Sequence, residues 1–194
     1  MPLRQTIFGD SNNPSFDDAA LLRFLESGTE DSFRHLCDGM SPRLMRYFRV
    51  RGCDSSSAEE LTQDVLFTIY RRASSVRDQA LFRGWIYKVA KNALLQKWRK
   101  ARTTPDCIHL DSLDGHLPEC CSVPPGLDAG FSDIVSALGP EERELLTLRY
   151  VDGLEYNEIA TALDIPVGTA KWRVFNCKMK LSVKFGSPAK RKLK

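Results

Sequence analysis

Residues 154–173, LEYNEIATALDIPVGTAKWR, constrain the chain more than any other stretch. Tyr156, Ile159, Ala160 and Leu163 mark the inward face of a short helix. Val167, Ala170, Val174, Cys177 and Leu181 then recur at intervals of three and four, one buried stripe of a second helix. Only Asp164-Ile165-Pro166 separates the two. This predicts a helix-turn-helix, the unit that lays its second helix into a DNA major groove. Thr169, Trp172, Arg173 and Asn176 share the exposed face of that helix, flanked by Lys171, Lys178 and Lys180. Arg and Asn can pair with base edges, whereas Lys and Thr suit phosphates. Gly168-Thr169 at the helix start offers free amides to a phosphate. An amphipathic helix with a merely solvated basic face has the same spacing; the preceding helix and tight turn weigh against it.

Net charge is only +3, but its layout is informative. Seven Lys or Arg and no acid lie between Gln79 and Pro105, eight acids and no Lys or Arg between Thr103 and Glu142, and nine Lys or Arg and no acidic side chain after Asp164. Local potential selects partners more than net charge does, so the first basic block is a second nucleic-acid candidate. Within it Trp85, Lys88, Asn92 and Arg99 fall on one helical face, with Lys91 adjacent and Trp98 at the basic end. An aromatic among cations suits unpaired bases, which offer a face to stack on. Trp85 and Trp98 as core residues are the competing reading.

The rest of the chain reads as helices. Residues 1–16 are rich in turn formers and are expected to be disordered. Leu21, Leu22 and Leu25 give a first apolar stripe, and Phe33, Leu36, Leu44 and Phe48 a second, longer or broken helix ended at Gly52-Cys53-Asp54. Ser57-Ala58-Glu59-Glu60 fits a capping box. Behind it Leu61, Val65 and Ile69 define a buried face, with Glu60, Gln63, Asp64, Phe67 and Arg71 mostly off it. Residues 74–79 read as a loop, and a helix over about 80–100 turns Phe82, Ile86, Val89 and Ala93 inward. Residues 103–130 hold four prolines and no periodicity, the composition of a linker. Gly139-Pro140-Glu141-Glu142 starts a helix, with Pro in the first turn and acids favouring the dipole. The expectation is an all-α chain of two small domains, residues 17–102 and 131–186, joined by a flexible acidic linker and ending in a basic tail, 187–194.

Residues 58–102 and 134–181, in this order and separation, resemble the second and fourth conserved regions of bacterial RNA polymerase sigma factors of the extracytoplasmic-function group. The resemblance implies a subunit that binds polymerase core and directs promoter recognition and melting. It implies that Glu60, Leu61, Gln63, Asp64, Val65, Phe67 and Arg71 dock on the clamp helices of the largest polymerase subunit. It places Arg77 and Asp78 in a loop that holds a flipped −10 base, which costs a few kcal/mol of lost stacking. Phe82, Trp85, Lys88, Lys91, Asn92, Trp98 and Arg99 then contact the melted −10 element. Thr169, Lys171, Trp172, Arg173, Asn176 and Lys178 read the −35 duplex. Further implied partners are the flap of the second polymerase subunit and an anti-sigma factor. The acidic linker would run through the polymerase channels as an RNA mimic. Asp164 stands where the group usually has Gly, but Asp tolerates a left-handed backbone. Trp172, Phe175-Asn176-Cys177 and Gln96 also depart from the usual residues.

Two other readings compete. A free-standing helix-turn-helix regulator would bind duplex alone and would need neither the upstream basic block nor the docking-like helix. A metal- or thiol-based sensor would use Cys107, His109, His116, Cys120 and Cys121, although their spacing matches no recurring zinc finger. The six cysteines form no disulfide framework, and the start lacks an apolar secretion segment. No membrane insertion, a cytoplasmic location, no cofactor and no enzymatic activity are expected.

Overall fold

The computed structural model describes residues 18–76, 78–103 and 138–185. The expected linker, N-terminal segment, basic tail, Arg77 and the linker Cys/His cluster lie outside these residues. Every described element is helical: α1 Asp18–Ser27, α2 Glu30–Val50, α3 Ser55–Arg72, α4 Phe82–Thr103, α5 Pro140–Leu146, α6 Tyr156–Leu163 and α7 Val167–Phe185. Short 3₁₀ turns at Ala73–Ser75 and Gln79–Leu81 link α3 to α4, and a π-helical turn at Thr147–Val151 extends α5.

The first four helices close around the predicted α3 stripe. Leu61, Val65 and Ile69 are buried with Leu44, Phe48, Phe82 and Ile86. Each such side chain contributes roughly 1.5–3 kcal/mol by leaving water. The start of α3 differs from the capping-box expectation. Asp54, not Ser57, is the cap, and its carboxylate accepts from the Ser57 amide at 2.6 Å. This hydrogen bond holds the Asp54 carboxyl below the usual carboxylate range. Helix α2 runs unbroken past Pro42.

Helices α5 to α7 form the second group. Pro140 opens α5, and Glu142 reaches back to accept from the Gly139 amide at 3.1 Å. Ala170, Val174, Cys177 and Leu181 are buried as the α7 stripe requires, while Val167, Tyr156 and Leu163 are half-buried.

The two groups are packed together. Helix α4 lies along α6 so closely that a Cβ on Gly84 would sit 2.5 Å from the carbonyl oxygen of Glu158. Real Cβ atoms essentially never approach a backbone so closely, so only glycine fits there. One continuous apolar core runs through both groups.

Candidate nucleic-acid interface

The turn between α6 and α7 is made by one residue. Asp164 adopts φ 59° and ψ 46°, and the next amide, Ile165, returns to the Ala160 carbonyl at 3.0 Å. This left-handed position closes α6 and aims α7 across it. Asp fills the role that Gly more often fills, as its short polar side chain allows.

On α7, Trp172 is 64% exposed, and Lys171 and Lys178 also face outward. Thr169 is half-buried beside them. Lys171 lies over the Tyr156 ring at 5.9 Å and Lys178 over Tyr150 at 5.3 Å. Arg173 ion-pairs with Glu141 at 3.5 Å, and Lys180 with Glu142. The single exposed face predicted for α7 therefore splits. Trp172, Arg173 and Asn176 line a cleft of about 450 Å³, whose opposite wall includes Lys91, Leu95 and Trp98 of α4.

The upstream basic helix is partly covered by the second group. Lys88 reaches the Asp164 carboxylate at 2.6 Å, and Lys91 the Leu163 carbonyl at 3.3 Å. Lys88 holds the Asp164 carboxyl below its ordinary range. Asn92 and Arg99 are exposed, and Trp98 is half-buried. Asp78 is exposed and caps the turn into α4, accepting from the Ala80 amide at 3.0 Å. Phe82 is fully buried, as its inward position in the helix pattern requires, and is stacked on the half-buried Trp85 with centroids 5.4 Å apart and planes 14° apart.

On α3, Glu60, Gln63, Asp64, Phe67 and Arg71 are exposed. Phe67 is 61% exposed with the Arg71 guanidinium 5.5 Å from its ring centre, and Glu60 pairs with Lys97 at 2.6 Å. Leu61 and Val65 are core residues, as the four-residue spacing that makes them a stripe requires, and lie beneath this exposed face. Tyr70, 54% exposed and 4.9 Å from the Phe33 ring, joins the Phe67 surface and escaped the sequence reading. Its position off the Leu61, Val65 and Ile69 stripe was the available signal.

Among the described residues no group of three or more His, Cys, Asp or Glu is disposed to hold a metal, and no helix is long and apolar enough to cross a membrane. Burial pushes the Cys177 thiol up to about 11 and raises those of Cys37 and Cys53. A thiol raised in this way is a poor nucleophile.

A left-handed two-helix turn, a cationic second helix and a further helical group with its own basic helix define a helix-turn-helix DNA-binding protein with an added unit. Comparison with known proteins specifies the kind. Residues 38–104 match the model for sigma-70 region 2 and residues 131–181 that for sigma-70 region 4. The extracytoplasmic-function sigma factor SigW of Bacillus subtilis is 27% identical over 169 residues, covering 79% of this chain and 88% of that protein. The sigma-E factor of Escherichia coli K12 is 27% identical over 173 residues, covering 83% and 90%. Two solved structures share the fold. One is the sigma factor RpoE of Bartonella quintana bound to the anti-sigma factor NepR, with TM-score 0.57, 21% identity, and 82% and 99% of the two chains covered. The other is CnrH bound to the cytosolic domain of CnrY, with TM-score 0.55, 17% identity, and 87% and 96% covered. The chain belongs to the sigma-70 family and, within it, to the extracytoplasmic-function group of RNA polymerase sigma factors.

Proposed function

We infer that this chain acts in the cytoplasm as a non-enzymatic promoter-specificity subunit, binding RNA polymerase core and directing it to promoters with separate −10 and −35 elements. The observation that carries this is the succession of sigma-70 regions 2 and 4 on one chain, each bearing a cationic, tryptophan-containing helix. The exposed α3 surface, Glu60, Gln63, Asp64, Phe67, Tyr70 and Arg71, is the proposed docking face for the polymerase clamp. Asp78, Lys88, Lys91, Asn92 and Arg99 serve the −10 element, and Thr169, Lys171, Trp172, Arg173, Asn176 and Lys178 the −35 duplex. The two solved relatives are each recorded with a bound protein partner, an anti-sigma factor in one of them. An antagonist of that class is proposed here too.

Run-off transcription with purified core and a promoter library tests the reading. Specific transcripts should appear only when core and this chain are combined; their absence across the library would overturn it. A free-standing regulator, by contrast, would shift duplex DNA equally well without core.

Arg173→Ala should weaken −35 recognition by about 1–3 kcal/mol if the guanidinium pairs with a base edge. The measurement is transcription from promoters varied at that element. An unchanged base preference removes the assignment.

A further inference from the structure

Helix α7 carries an apolar row on its outer face that the core does not use. Trp172, Phe175, Met179 and Val183 are 64%, 60%, 50% and 82% exposed. On an α-helix these four positions fall within about 80° of arc. The buried stripe of Ala170, Val174, Cys177 and Leu181 lies on the opposite side. Single apolar side chains on a surface need no explanation, but a contiguous row marks a contact site.

The flanks of the row say what it contacts. Lys171 and Lys178 run along one side, over the rings of Tyr156 and Tyr150. Arg173 and Lys180 run along the other, paired with Glu141 and Glu142. These pairs are solvent-exposed and weakly held, so phosphates can replace the carboxylates. No acidic side chain occurs in α7. Apolar groups between two rows of cations match the major groove, whose floor holds base edges and whose walls are phosphates. The groove is about 12 Å wide, and a helix with its side chains is about 10–12 Å across. One group on that floor is apolar, the C5 methyl of thymine. Trp172 and Phe175 lie in the first half of α7, the part that a helix-turn-helix presents to base edges. Trp172 also departs from the residue usual in the group, so this readout is a property of this chain.

We propose that Trp172 and Phe175 are specificity residues that select the −35 duplex by apolar contact with the C5 methyl groups of its thymines, while the flanking cations hold phosphates. The proposal rests on the sigma-factor reading above. Covering one methyl is worth roughly fourfold in binding, the equivalent of burying one CH₂ group. The two rings supply selectivity, and the cations supply affinity without regard to sequence.

Run-off transcription by polymerase core with the full chain, at sub-saturating holoenzyme, tests this. The −35 element is first selected from a randomised library. Its thymines, on either strand, are then replaced one at a time by uracil. That change removes the methyl and leaves every hydrogen-bonding group in place. Output should fall about fourfold at one or more positions. Trp172→Ala and Phe175→Ala truncate exposed side chains, so helicity by circular dichroism should be unchanged. Each should lower output from the thymine template and abolish the thymine–uracil difference at the position facing the lost ring. Lys171→Ala should instead lower output from both templates equally, as loss of a phosphate contact does. A selected element without thymine, or equal output from thymine and uracil templates, overturns the apolar readout while specific transcription upholds the sigma-factor reading. A methyl effect that survives in both aromatic variants overturns the assignment to these rings. Unchanged promoter selection in both variants also overturns it, and leaves the row to a protein partner. No specific transcript from any template overturns the sigma-factor reading and this proposal with it.

Discussion

Replacing Glu144 by Ala should cost the closed arrangement about 3–5 kcal/mol, the usual penalty for leaving a buried charge without its partner. Arg51 is 3% exposed, and its Nη1 already donates to the Tyr47 carbonyl at 3.1 Å. Its guanidinium carbon lies 3.4 Å from the centre of the Tyr47 ring, and the Tyr47 hydroxyl donates to Glu144 at 3.2 Å. The Nη2 approach to Glu144 is short but poorly aligned for a hydrogen bond, so the contact is mainly an ion pair. Burial keeps Tyr47 un-ionised, and the neighbouring Glu144 holds Arg51 charged despite its burial. Removing Glu144 therefore leaves a full positive charge among apolar rings. Its cheapest escape is for the two helical groups to part and let water in. Urea titration should show the loss as an early transition. Combining Arg51→Met with Glu144→Leu should restore most of the stability or exceed it, since apolar pairs of similar volume often do. A Glu144→Ala variant within about 1 kcal/mol of wild type would mean the pair contributes nothing net.

Local pattern made the helices legible and left their partners hidden. The α7 stripe and the α6–α7 turn follow from spacing plus one residue, Asp164, and both are found. The α3 cap was displaced by three residues because Asp54-x-x-Ser57 and Ser57-x-x-Glu60 offer equivalent chemistry, and only the turn geometry selects Asp54. The cations of α4 read as free for nucleic acid because their counter-ions lie far off in sequence: 76 residues separate Lys88 from Asp164. The sequence shows a surplus of charge but not the acid that meets it. Gly84 likewise looks like a weak point in a helix until Glu158 is seen against it. The residues assigned to polymerase and DNA divide the same way. Spacing identified Phe67 as off the stripe and exposed, yet Leu61 and Val65 satisfy the family motif and the core pattern together.

Phe82→Ala is expected to act on the fold rather than on DNA. The ring is 0% exposed and lies nearly parallel to Trp85. Truncating a buried Phe costs about 3–5 kcal/mol through lost transfer energy and the cavity left behind. Small domains have only about 5–15 kcal/mol in all, so the melting temperature should fall by on the order of 10 °C. Promoter opening should fall with the folded fraction and recover on cooling below the new midpoint. Trp85, half-buried at the same helix start, offers the contrast. Its loss removes less packing, so a stacking role at a melted base would appear as reduced promoter opening at every temperature where the chain is folded. Thermal melts run beside permanganate footprinting of the opened −10 strand separate the two behaviours. An unchanged midpoint with abolished opening in Phe82→Ala would place that ring against DNA after the helices rearrange on polymerase. A lowered midpoint with opening restored in the cold assigns it to the core beneath the Trp85 platform.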